Sequence, residues 1–302
     1  MRRLLPLCLL APLLVTPVPP PGSGLPGPLL DIPYGAYHPD LRFDWYAPAN
    51  STGSDPAVVF LHGGATPFGD KGDVVDEYPE LLELLRLNGI GVAAVEFRPY
   101  PAYHFPSQLE DVKLSLQFLR ANAAIWSIDP ARIGVWGHSS GALLGGLAAY
   151  GEDAADPLGD AVTQQSSRPV LWLDMFGITD FDLLVPWFTG DMFGEVFLGQ
   201  VDPGVLDEAS VTWLIENVPR PFTPPVCTLY GQTINPPPFE NPHDAWFALA
   251  LRQALRRWEP EANALSWYEI RDEALAEITA SQLVWTMERF GMPGPAVQPG
   301  KK

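Results

Sequence analysis

The chain has 302 residues, of which 47% are hydrophobic and 18% charged, enough apolar material for one α/β domain with an insertion rather than two separate domains. Lysine and arginine number 18 against 36 aspartate and glutamate, a formal charge of -18. The acidic residues are spread along the chain, and such a surface repels phosphate backbones, which argues against nucleic acid as a partner.

The first segment, "MRRLLPLCLLAPLLV", carries two arginines and then a short apolar run interrupted by Pro6 and Pro12. It is too short for a membrane span and reads as a secretory signal, so a secreted or periplasmic location is expected. Residues 1–30 are read as signal and Pro-rich linker, 31–290 as the folded domain and 291–302 as a flexible tail. Cys227 is the only cysteine besides Cys8, so removal of the leader leaves no partner for a disulfide. Proline is abundant, and its clusters at 219–225 and 236–242 are expected to be ordered loops.

Elements follow in an alternating order. "AVVFLHGG" reads as a buried strand ending in glycines, "EYPELLELLRLNG" as a helix with a glycine stop, and "GVAAVEF" as a second buried strand. "SQLEDVKLSLQFLRANA" has helical periodicity behind a Ser cap. "RIGVWG" is a third strand and "SGALLGGLAAY" a closely packed helix. "PVLWLDMF" and "PVCTLYG" are further strands, "HDAWFALALRQALRRW" a helix, "LSWYEI" a last strand and "EALAEITASQLVWTMERF" a last helix. Alternating buried strands and helices predict an α/β fold, a mostly parallel sheet with helices on both faces. The stretch 177–225, rich in Trp, Phe and Pro, breaks the rhythm and is expected to cap the pocket.

"GHSSG" at 137–141 sits between a strand and a helix, the context in which a serine between glycines becomes an exposed nucleophile. "HGGA" at 62–65 closes an earlier strand, and its amides together with that of Ser140 are candidates to face a developing oxyanion. Both motifs fall at the carboxyl ends of strands, where open α/β sheets place ligands. The competing reading assigns these glycines to tight turns and close packing alone.

The segments "HGGATPFGDK", "AAVEFRPYPAYHFPSQLEDVKLSLQFLR", "IDPARIGVWGHSSGALLGG" and "PPVCTLYG" resemble the α/β-hydrolase family, in its esterase and lipase branch with an HGG motif (hormone-sensitive-lipase-like and feruloyl-esterase-like members). The resemblance implies an α/β-hydrolase fold, Ser139 as nucleophile, and Gly63, Gly64 and Ser140 as oxyanion donors. It also implies an acid soon after "VCTLYG" and a histidine after "LSWYEI". This chain departs at both places. "GQTINPPPFE" has no aspartate, and Asp272, Glu273 and Ala274 stand where the histidine is sought.

A serine hydroxyl without a base is a poor nucleophile. The five histidines are His38, His62, His104, His138 and His243. His243 is the best substitute, because its loop follows "VCTLYG" and opens at the same sheet edge as Ser139; some relatives carry a histidine in a similar "HDAWF" setting. The alternative is that "NPHD" only starts a helix, with Asn241 as N-cap, Pro242 at N1 and Asp244 as a capping acid at N3. His62 is expected to order the oxyanion loop, and Asp111 and Asp174 to be structural. No Cys/His cluster has metal spacing and no phosphate or dinucleotide loop follows a strand, so neither metal nor cofactor is expected. Phe68, Tyr103, Phe105, Trp187 and Phe188 are candidate walls of an apolar pocket for a small neutral ester. Two readings stay open: an exported serine esterase with a rearranged base, acting through an acyl-enzyme on Ser139, or a catalytically inactive protein of this fold that binds a small molecule or partner.

Overall fold

The computed structural model describes residues 25–64, 68–99, 102–184, 203–230, 243–270 and 275–293. Eight strands form one sheet in the order β1-β2-β4-β3-β5-β6-β7-β8. They are β1 (Leu29–Pro33), β2 (Arg42–Tyr46), β3 (Asp55–Leu61), β4 (Gly91–Val95), β5 (Ile128–His138), β6 (Trp172–Met175), β7 (Val226–Tyr230) and β8 (Trp267–Ile270). The pairs β1–β2 and β2–β4 are antiparallel, and every pair from β4 to β8 is parallel. The expected α/β-hydrolase architecture is present.

Side-chain alternation divides the core between the two faces of the sheet. Along β3, Ala57, Val59 and Leu61 pack on one side while Val58 and Phe60 pack on the other. All seven residues of β3 are buried, as expected of a strand covered on both faces. The first face is covered by α3 (Ser107–Ala121), α5 (Ser140–Tyr150), α7 (Val211–Asn217) and α8 (Trp246–Trp258). The second is covered by α2 (Pro79–Leu87) and the end of α10 (Leu275–Arg289). Burying each large apolar side chain in these layers contributes about 1.5–3 kcal/mol. Among the described residues there are also shorter helices α1 (Asp73–Asp76), α4 (Ala123–Trp126), α6 (Pro203–Glu208) and α9 (Pro260–Leu265).

Several expectations need correction at element ends. Ser107 does not cap α3; Pro106 holds the N-cap position, no side chain caps the helix, and the Ser107 N–H donates to the His104 carbonyl. Helix α8 starts at Trp246, so Asp244 precedes it instead of occupying N3. Its Oδ1 still accepts the Trp246 N–H at 3.0 Å, which gives the first turn an acceptor from an earlier position. Asn241 and Pro242 lie outside the described residues. The Pro-rich segment before β1 is anchored at its end: Leu25 is buried and the Pro26 carbonyl accepts from the Arg86 guanidinium.

Of the stretch expected to cap the pocket, residues 177–184 and 203–225 are described. Phe181, Val211, Leu214 and Ile215 join the same core as α5 and α8, and the Thr179 hydroxyl donates to the Phe247 carbonyl. Residues 185–202, with Trp187 and Phe188, lie outside the described residues, as do residues 1–24 of the expected leader and 294–302 of the expected tail.

Candidate active site

Strand β5 runs straight into α5 through Ser139, whose φ of 53° and ψ of -117° lie outside the regions favoured by side-chain-bearing residues. Such strain costs about 1–3 kcal/mol and persists only where neighbours enforce it. Here the Ser139 N–H donates to the Met175 carbonyl at 2.8 Å, and its own carbonyl accepts from Leu143 at 3.1 Å. The flanking glycines leave room for the turn. A Cβ on Gly141 would lie 2.2 Å from the Leu61 oxygen and 2.3 Å from the His62 oxygen, and one on Gly137 would lie 2.5 Å from Ala142 Cα. Only glycine lets α5 start against the end of β3 in this way. The side chain of Ser139 is half-buried rather than fully exposed.

His243 Nε2 lies 2.9 Å from Ser139 Oγ, within hydrogen-bond reach. The imidazole comes from the segment between β7 and α8, at the carboxyl edge of the parallel strands. Burial is the main cause that lowers its pKa to about 4, with nearby His138 adding to it. The ring is therefore neutral at pH 7 and can accept a proton, whereas a charged imidazolium is disfavoured. Its place ahead of the α8 N-terminus works in the same direction. The His138 ring, the variable position of the elbow, lies 6.2 Å from that of His243 between centroids. Burial lowers its pKa to about 4 as well.

The HGG loop lies beside the elbow. A Cβ on Gly63 would fall 3.3 Å from Ser139 Cβ and 2.7 Å from His138 Nδ1. Gly64 has φ +88°, and a Cβ there would collide with the Phe68 carbonyl. His62 is only 2% exposed and stacks on Phe97. Its Nδ1 lies 3.0 Å from the Gly63 oxygen and its Nε2 3.0 Å from Glu96 Oε1. Burial opposes the charged ring, but the Glu96 hydrogen bond and charge outweigh it and the pKa is raised. Glu96 Oε2 also accepts the Lys71 N–H at 3.2 Å, so one carboxylate ties both ends of the loop to the end of β4.

The candidate wall residues separate. Phe68 is 75% exposed, and its carbonyl lies against Gly64. Tyr103 packs instead against His38 and the Arg98 guanidinium, and Phe105 is half-buried on the main core. Asp111 is buried and bound by Arg98 and the Tyr37 hydroxyl. Asp174 accepts the Gly177 N–H at 2.9 Å and the Tyr230 hydroxyl at 3.1 Å, and burial raises its pKa to about 7. Residues 231–242, where the family resemblance expects the acid, and residues 271–274 lie outside the described residues. Phe176, whose ring lies against both His138 and His243, was not anticipated from sequence. Its only signal was an aromatic residue directly after a buried strand.

Residues 43–195, spanning β2 through the elbow and beyond β6, match the BD-FAE family model. The chain belongs to the BD-FAE family. Among curated relatives, this BD-FAE chain is 28% identical over 55% of its length to a probable isoprenylcysteine alpha-carbonyl methylesterase of Arabidopsis thaliana. It is 30% identical over 51% of its length to the probable carboxylic ester hydrolase LipM, and 28% identical over 62% to the carboxylesterase NlhH, both of Mycobacterium tuberculosis. It spans 39%, 35% and 50% of those relatives, respectively. Among solved structures, an acetyl ester-xyloside bifunctional hydrolase from Caldicellulosiruptor lactoaceticus superposes with TM-score 0.68 at 22% identity, covering 87% of this chain and 97% of that one. An esterase from Thermogutta terrifontis gives TM-score 0.65 at 17% identity, with 89% and 94% covered. At these identities the structures establish the shared fold.

Proposed function

We propose that this chain is a serine hydrolase of carboxylic esters, with Ser139 as nucleophile and His243 as general base. The observation that carries the reading is the 2.9 Å approach of His243 Nε2 to Ser139 Oγ on a strained elbow. The esterase relatives and the family membership support the reaction class.

In the proposed reaction Ser139 Oγ attacks the ester carbonyl while His243 Nε2 takes its proton. The carbonyl oxygen becomes an oxyanion, and the amides of Gly63, Gly64 and Ser140 are assigned to it. Ser140 opens α5, so the positive end of that helix favours the same charge. The imidazolium then gives the proton to the departing alcohol, leaving an acyl-enzyme on Ser139. Water, deprotonated by His243, attacks the acyl carbonyl; the bond to Ser139 Oγ then breaks, Oγ takes the proton back from His243, and the carboxylic acid leaves. Burial disfavours the imidazolium, so its charge must be offset within the site during each half-reaction.

A small neutral ester is the proposed substrate, since burial dominates the titration of the histidines lining the site. The apolar leader with its paired arginines supports export to the periplasm or outside the cell. The test is labelling by a fluorophosphonate probe together with turnover of p-nitrophenyl acetate. Labelling at Ser139 that disappears in Ser139→Ala and His243→Ala supports the reading. A folded wild-type chain that neither labels nor turns over would sink it and leave the ligand-binding alternative.

A further inference from the structure

Phe176 is a large aromatic residue in the left-handed backbone region, with φ 59°, immediately after β6. Hydrogen bonds at the ends of β6 and β7 hold it there. The Phe176 N–H donates to the Leu229 carbonyl at 3.0 Å, and the next amide, Gly177 N–H, donates to Asp174 Oδ1 at 2.9 Å. The Tyr230 hydroxyl contacts both Asp174 Oδ2 and the Gly177 carbonyl. The ring so placed lies 5.8 Å from the His243 ring and 6.0 Å from the His138 ring, with Tyr230 at 6.1 Å behind it. A strained conformation that delivers an apolar ring onto a half-buried imidazole points to a role at that imidazole.

We propose that Phe176 is a positioning residue for His243, its ring excluding water from one side of the imidazole and holding Nε2 on Ser139 Oγ. Its kinetic consequence rests on His243 being the base; the contact itself does not. Among the described residues, His138 on β5 and, 3.9 Å beyond it, Glu77 ahead of α2 also bear on His243. Asp174 and Tyr230 lie behind Phe176 on β6 and β7, and Asp244 is the next residue in the chain. A competing effect has the opposite sign: an aromatic face within about 6 Å can stabilise a cation. The two are separated by the direction in which His243 titrates once the ring is removed.

The experiment is a histidine NMR titration of the full chain, with the His243 resonance assigned as the one that His243→Gln removes, in wild type, Phe176→Ala and Phe176→Tyr. Burial of the ring sets the expected wild-type midpoint near 4. In Phe176→Ala it is expected to rise by at least about one unit toward the solvated value of ~6.5, and Phe176→Tyr is expected to restore it. In parallel, kcat for p-nitrophenyl acetate should fall on the order of tenfold or more as the ring loses its orientation, with KM little changed. If the alanine variant does not fold, Phe176→Leu is used, with a smaller rise expected. An unchanged or lowered His243 midpoint in a folded variant overturns the proposal. A raised midpoint in a chain whose Ser139 takes no fluorophosphonate label would uphold the shielding and refute the hydrolase reading instead.

Discussion

His243 Nε2 meets Ser139 Oγ at 2.9 Å although 104 positions separate the two residues in the chain. Strands β5, β6 and β7 lie side by side and parallel, so the segments leaving their carboxyl ends converge on one edge. A histidine arriving after β7 therefore reaches Ser139. The chain's lack of a histidine beyond 243 is compatible with a complete nucleophile–base pair.

If the pair acts as a unit, its members fail together. Ser139→Ala, His243→Ala and the double variant should each lower kcat by about 10⁴- to 10⁶-fold, without the losses multiplying. Steady-state turnover of p-nitrophenyl acetate checks this. A His243→Ala variant within tenfold of wild type would remove His243 from the role of base.

Burial holds the His243 pKa near 4, below its solvated value of ~6.5. The neutral base is then present above that value and lost as pH falls through it. The pH profile of kcat/KM should stay level down to about pH 5 and lose half its height only near pH 4. A half-height near 6.5 would mean that water reaches the ring freely.

Asp174 tests the opposite sign. Burial raises its carboxyl pKa to about 7, above the unfolded value of ~3.9. The folded state holds this proton more tightly, so the stability it confers is complete below ~3.9 and lost as pH rises through about 7. Asp174→Asn keeps a carbonyl for the Gly177 N–H and carries no charge. Its Tm should match wild type near pH 3.5 and exceed it by a margin that grows as pH rises toward 7, reaching several degrees at pH 8. Equal Tm values at both pH values would show that the carboxylate is stabilised by surroundings other than these two bonds.

At Gly141 the constraint is steric. A methyl group there would press on two backbone oxygens, at 2.2 Å from Leu61 and 2.3 Å from His62, neither of which can rotate away. Gly141→Ala should cost about 1–3 kcal/mol or more in urea unfolding and displace the loop holding Gly63 and Gly64. Undiminished stability and labelling would show that β3 and α5 can separate without penalty.

Much of the fold was legible because its causes are local. "SGALLGGLAAY" is apolar throughout and starts after a tight turn, and α5 occupies the same residues, Ser140–Tyr150. The buried runs that became β3, β4 and β7 are largely apolar because both faces of a parallel sheet are covered. The elbow and the HGG turn were readable because glycine is required wherever backbones approach this closely. The short strands β1 and β2 carry little pattern: "LLDIP" lies at the largely uncovered edge of the sheet, and "RFDWY" is buried yet mixes charged and aromatic residues. Helix starts shifted where a loop bond replaced the expected cap, as at Ser107 and Asp244. What sequence alone could not decide was which histidine faces Ser139, or that Phe176 lies against it. Both depend on strand order and on where separate strand ends meet, and that is set by the packing of the whole sheet rather than by any run of neighbouring residues.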